Sequence, residues 1–237
     1  MIIAEIGLNH LGNKSLLNKY TDKLSRTKVD GISIQILTKK QLKSNKLEFC
    51  HLQISEIENF INIVKKKNKK VGLAIGDFQI IPKIRNIGKV DFIKVLSKDI
   101  NNLDSIKKII EITNKDIYLS TGMTDKKSLL NLLKKLRNYN KKIKLIYTSF
   151  KKNFGFSDLR NILNLKFNHK KEVAYGNHSG NVKFIFLSSL LNPDSIFFYV
   201  KISDEKKKDF DLPDEFHALE LNKINIYIKR INLFLKK

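Results

Sequence analysis

A chain of 237 residues can bury one sizeable core, and 42% hydrophobic residues suits a folded protein and is too high for a disordered one. No run approaches the ~18 apolar residues of a membrane-spanning helix. The opening stretch lacks the regions of an export signal, and one cysteine, Cys50, excludes a disulfide framework or a cysteine-built zinc site. Lys and Arg number 46 against 23 Asp and Glu, a net charge of +23. Only five of these cations are arginine, the side chain that base edges and bidentate phosphate grips favour. The composition therefore points to a soluble cytoplasmic protein with a solvated basic surface, keeps an RNA-binding barrel as a third reading, and argues against membrane or nucleic-acid partners. An anionic substrate gains from such a field in either case.

Short apolar, β-branched runs predict buried strands at Ile2–Ile6, Gly31–Ile36, Val71–Ile75, Asp91–Val95, Ile117–Ser120, Ile143–Tyr147, Glu172–Tyr175 and Ile196–Val200. Helical spacing falls between them at Asn13–Lys28, Ser55–Lys67, Asn101–Asn114, Asp125–Tyr139, Ser157–Phe167 and Asn181–Leu191, with Asp125 and Ser157 as N-caps. The segment Gln79–Asn86 is a weaker helix because Pro82 interrupts it, and a last helix is expected over Phe216–Phe234. Strands that read as continuous apolar runs suit a parallel sheet covered on both faces. Eight strand–helix units of about 30 residues predict one α/β domain, a (β/α)8 TIM barrel over residues 1–237. A doubly wound open sheet is the alternative. Gly7-Leu8-Asn9-His10-Leu11-Gly12 does not give the nucleotide fingerprint that would support it.

In such a barrel the chemistry lies where strands end. Those positions carry Glu5, Asn9 and His10; Ser33 and Gln35; Asp77; Lys94 and Ser97; Ser120 and Thr121; Thr148 and Ser149; Asn177 and His178; Lys201 and Ser203. Taken singly, each is a turn or cap residue. Together they are more polar than packing requires.

These residues also resemble a family. Ile3-Ala4-Glu5-Ile6-Gly7-Leu8-Asn9-His10-Leu11-Gly12 is similar to the IAEIGxNHxG opening of the sialic acid synthases, and Ser120-Thr121-Gly122-Met123 to their STGM. Tyr175-Gly176-Asn177-His178-Ser179 resembles their YSDHT, and Pro213-Asp214-Glu215-Phe216-His217-Ala218-Leu219 their PDHxxSL. The resemblance implies a barrel that condenses phosphoenolpyruvate with an N-acetylated hexosamine into a nine-carbon nonulosonic acid, using manganese or magnesium. It also implies a small antifreeze-like cap domain, which has no counterpart in these residues, so a homodimer or a separate cap protein is the expected partner. An impaired barrel that binds a sugar acid or phosphorylated ligand is the alternative function.

By the same resemblance Lys94, Glu5, Gln35 and Lys201 are catalytic candidates, and Ser97, Ser120, Asn9, Thr148, Ser149, Asn177 and Asp214 substrate-binding ones. His178 matches one of two metal-binding histidines, and the other falls on Lys201, a protonated donor and no metal ligand near neutral pH. The strand-two lysine that grips phosphoenolpyruvate falls on Ser33, so Lys39 or Lys40 is the expected replacement. Leu11, Gly76, Gly176 and Glu215 also depart from the family pattern, and Glu215 or His217 is a candidate replacement metal ligand. Cys50 reads as a core thiol, and His51 and His169 as surface residues.

Overall fold

The computed structural model describes residues 1–151, 153–179, 181–202 and 218–235. Eight parallel strands run in sequential order: β1 (Ile2–Gly7), β2 (Gly31–Ile36), β3 (Lys70–Ile75), β4 (Phe92–Val95), β5 (Asp116–Ser120), β6 (Ile143–Tyr147), β7 (Val173–Asn177) and β8 (Ile196–Lys201). Pairing of β1 with β8, from Ile2 opposite Ile196 to Glu5 opposite Tyr199, closes the sheet into a (β/α)8 barrel. The helices between strands are α1 (Lys14–Ser25), α2 (Lys39–Ser44), α3 (Ile54–Lys66), α4 (Leu103–Thr113), α5 (Lys126–Lys135), α6 (Phe156–Leu159), α7 (Asn161–His169) and α8 (Val182–Ser189). After them come the short strand β9 (Leu219–Glu220) and α9 (Ile224–Leu235). Among the described residues no helix is long and apolar enough to cross a membrane.

Several expected elements change form. Pro82 has no amide hydrogen to donate, and the Gln79–Asn86 segment is a 3-10 turn over Phe78–Lys83 instead of an α-helix. The helix expected to Tyr139 ends at Lys135 and continues as 3-10 turns over Arg137–Lys142. Asp125 caps α5 as expected, its side chain accepting from the Ser128 amide. Ser157 caps nothing: α6 starts after Gly155, whose amide donates to the Asp158 carboxylate at 2.9 Å. The last helix begins at Ile224; Phe216 lies outside the described residues. Two elements carry no expectation from periodicity. One is α2, held by reciprocal bonds between Thr38 and Gln41, and the other is β9. His51 and His169 are half-buried at the surface, while Cys50 sits in an apolar cluster with Leu8, Leu37 and Leu42.

The strands divide their side chains between two cores, one on each face, which is why the runs read as continuously apolar. Ile32, Ile34 and Ile36 of β2, like Ile93 and Val95 of β4, face the helices and join the main core with Leu17, Phe60, Ile61 and Ile106. The other parity, Ile3, Phe92, Tyr118, Ile146, Ala174 and Phe197, packs inside the barrel as a separate cluster. Phe92, Tyr118 and Phe197 meet edge to face, with centroids 5.2–5.7 Å apart. Gly72 makes room for them, since a Cβ there would lie 2.2 Å from the Phe92 ring. This aromatic plug sits at the N-terminal end of the strands and leaves the C-terminal end for polar groups.

Beside the plug, Lys144 lies within 3.3 Å of Asp116, Glu172 and Asp194. Tyr118 and Ser195 each donate to Asp194 Oδ2 at 2.7 Å. Burial works to raise the Asp194 pKa, but the bonds from Ser195 and Tyr118 and the Lys144 charge outweigh it and hold the carboxyl below its usual range. A group depressed in the folded state adds stability above its unfolded pKa and loses it as pH falls through the folded one. Stability is therefore expected to fall with acidification below about pH 4. Asp194→Asn should flatten that slope in urea titrations at stepped pH; an unchanged slope would remove Asp194 from the acid response.

Candidate functional site

The two-residue repeat of a strand aims Glu5, Lys94, Ser120 and Tyr199 into the barrel one layer above the plug. Lys94 Nζ bonds both carboxylate oxygens of Glu5, at 2.8 and 2.7 Å, with side-chain exposures of 2% and 3%. The Ser33 hydroxyl lies 3.5 Å from the same carboxylate, and the Lys94 ammonium sits 5.6 Å from the centroids of both Phe197 and Tyr199. Fully paired in this way, a buried charge is tolerated; alone, it would cost several kcal/mol.

Above the pair a cleft of about 220 Å³ opens at the C-terminal mouth, lined by Gln35, Lys94, Ser97, Lys98, Ser120 and His178, with Leu96, Met123, Phe150 and Tyr199 as its apolar walls. Lys94, Ser120 and His178 come from β4, β5 and the end of β7, and the fold brings them to this one cleft. Tyr199 Oη donates to Gln35 Oε1 at 3.4 Å. The His178 ring packs between Phe150 and Tyr199, with centroids at 4.8 and 5.4 Å. Gly122 leaves the space for that wall, because a Cβ there would meet Thr148 Oγ1 at 2.3 Å and the Phe150 ring at 2.8 Å. Ser120 Oγ is buried without a hydrogen-bond partner. Such a group costs about 1–3 kcal/mol, which a bound acceptor would relieve.

Other expected residues stand around the cleft without lining it. Asn9 donates to the Val200 carbonyl at 2.9 Å and ties the loop after β1 to β8. That loop turns through Gly12 at φ +63°, where a Cβ would lie 1.9 Å from the Phe49 carbonyl oxygen. Thr148 lies behind Ser97, with hydroxyls 3.5 Å apart, and Ser149 accepts from the Lys151 amide at 3.3 Å. Asn177 Oδ1 accepts from Tyr175 and Ser179 at 3.0 and 2.9 Å, while its Nδ2 is buried with no partner. Lys201 ends β8, half-buried, two residues beyond Tyr199. Ser203, Asp214, Glu215 and His217 lie outside the described residues.

Lys39 and Lys40 are exposed on α2 and not on the cleft wall; the second lysine there is Lys98, which sequence reasoning missed along with Tyr199 and Phe150. Its signal was available, since Lys98 directly follows Ser97. Asp99 follows in the same turn, off the cleft wall. Its Oδ2 is buried without a partner, and burial holds its carboxyl above the usual range while the Lys98 charge pulls it down.

A divalent metal is held by carboxylate or imidazole donors, with substrate oxygens and water often completing its shell. Among the described residues no three His, Cys, Asp or Glu side chains group to hold one, and the Glu5 carboxylate is engaged by Lys94. Glu215 and His217, the expected replacement ligands, lie outside the described residues, and no chemical step is routed through a metal.

Fold and site define a (β/α)8 barrel whose polar groups gather at the C-terminal mouth. The chain belongs to the NeuB family, whose sequence profile matches residues 21–223. It is 27% identical to the N,N'-diacetyllegionaminic acid synthase of Campylobacter jejuni, over 77% of this chain and 61% of that one. An uncharacterized protein of Methanocaldococcus jannaschii is 28% identical over 92% of this chain and 65% of its own length. The chain thus spans less than two thirds of these curated relatives. Among solved structures, the N-acetylneuraminic acid (sialic acid) synthetase of Leptospira borgpetersenii superposes with a TM-score of 0.86 at 19% identity, covering 99% of this chain and 83% of that one. The spore coat polysaccharide biosynthesis protein SpsE of Bacillus subtilis gives 0.83 at 16%, covering 99% and 67%. At these identities the superpositions speak to the fold alone.

Proposed function

We propose that this protein condenses phosphoenolpyruvate with an N-acetylated amino sugar and water, releasing inorganic phosphate and a nine-carbon nonulosonic acid for surface carbohydrate. The observation that carries this reading is the convergence of Lys94, Ser97, Ser120, Gln35 and His178 on one cleft. Phosphoenolpyruvate brings about three negative charges, and a rigid strand-end cluster of cation and hydroxyl donors suits it. In this reading Lys94 and the unsatisfied Ser120 hydroxyl hold the acid, and Gln35, fixed by Tyr199, orients it. The cleft of about 220 Å³ suits the small acid, and in this reading the sugar sits at its mouth, against the exposed wall residues Met123 and Phe150. In this reading Lys201, at the end of β8, supplies the positive charge that polarises the sugar carbonyl. A second copy or a separate cap protein would exclude water from above.

The test is phosphate release on incubation with phosphoenolpyruvate and N-acetylmannosamine, or its bacillosamine-derived analogues, with and without manganese. Sugar-dependent release supports the reading, and its absence with every sugar sinks it. Serine at position 33 and lysine at 201 favour a second reading, a barrel that binds the phosphorylated acid without turnover; binding in calorimetry with no release would select it.

A further inference from the structure

We propose that Lys98 is the cation that grips the ligand's phosphate, in place of the lysine that position 33 lacks. This rests on the reading of the cleft as a phosphoenolpyruvate site. The argument is one of charge. Lys94 is bound by both oxygens of Glu5, and the two side chains are almost wholly buried, so the pair contributes no net charge to the cleft floor. Ser33, beside that carboxylate, adds a hydroxyl and no cation. A phosphorylated carboxylic acid would enter such a floor against a desolvation penalty that hydroxyls alone do not offset.

Lys98 removes the deficit. It lies in the short turn Ser97–Asp99 directly after β4, lines the cleft beside Ser97 and Ser120, and is exposed. Among the described residues it makes no hydrogen bond or ion pair. Asp99, its sequence neighbour, instead accepts from Gln41 Nε2 at 3.5 Å. The Lys98 ammonium is thus a positive charge on the wall that forms no ion pair with a described carboxylate, although the adjacent Asp99 carboxyl feels its field. Its flexible stem suits a point-charge contact with a phosphate. Lys39 and Lys40, equally basic and exposed, are off the wall and supply the control.

Calorimetric binding of phosphoenolpyruvate and of pyruvate tests the assignment. Lys98→Ala should weaken phosphoenolpyruvate about ten- to a hundredfold and leave pyruvate unchanged, because only the phosphate contact is lost. Lys98→Arg should keep most of the affinity, Lys39→Ala all of it, and Ser33→Lys in the Lys98→Ala background should recover part. Lys98 is exposed, so its variants should unfold at the parent's urea midpoint. Parental affinity in Lys98→Ala while Ser120→Ala binds weakly would overturn the role of Lys98 and leave the cleft reading intact. No phosphoenolpyruvate binding by the parent at millimolar concentration would overturn both.

Discussion

Lys94→Met is expected to abolish phosphate release and to lower stability by about 3–5 kcal/mol, since it strands the Glu5 carboxylate in a site 3% exposed. Pairing it with Glu5→Gln removes the stranded charge. That double variant should recover most of the stability and none of the activity, which separates the ion pair's part in folding from its part in binding. Urea denaturation, alongside the release assay, reads both. Full stability in Lys94→Met alone would mean that the pair is not buried as described, and full activity would remove Lys94 from the site.

Phe197→Ala should cost about 3–5 kcal/mol, the range for losing a large core aromatic. Phe197 is fully buried, meets Phe92 and Tyr118 edge to face, and has strand backbone around it that cannot collapse inward. Because the Lys94 ammonium rests 5.6 Å from its ring, the same change loosens the cleft floor, and KM for the phosphorylated acid should rise in whatever fraction stays folded. Phe197→Leu keeps much of the volume and should cost less than about 1.5 kcal/mol. Chemical denaturation measures the difference. An alanine variant as stable as the leucine one would show that the plug does not support the barrel.

All eight barrel strands were legible in the sequence, most within one residue of their observed ends, because β-branched runs punctuated by helical spacing leave little else that a chain of this length can form. Periodicity failed where local hydrogen bonding decides the form: at Pro82, at Gly155, and in α2, whose capping bonds between Thr38 and Gln41 leave no apolar stripe to read. The site was legible in part. Motif positions pointed to Lys94, Ser97, Ser120 and His178, all of which line the cleft, but to Lys39 and Lys40 for the second cation, where the wall carries Lys98.

The sequence alone determined the number and order of the strands and which residue types stand at their ends, since these follow from period-two and period-3.6 patterns along the chain. Only the tertiary structure decided that Glu5 neutralises Lys94 and that Lys98 lines the cleft without a direct ion pair among the described residues. Glu5 and Lys94 are 89 positions apart, and their contact exists because strand pairing around the barrel sets the depth of each inward side chain. Closure and register, not local pattern, fix which charges meet.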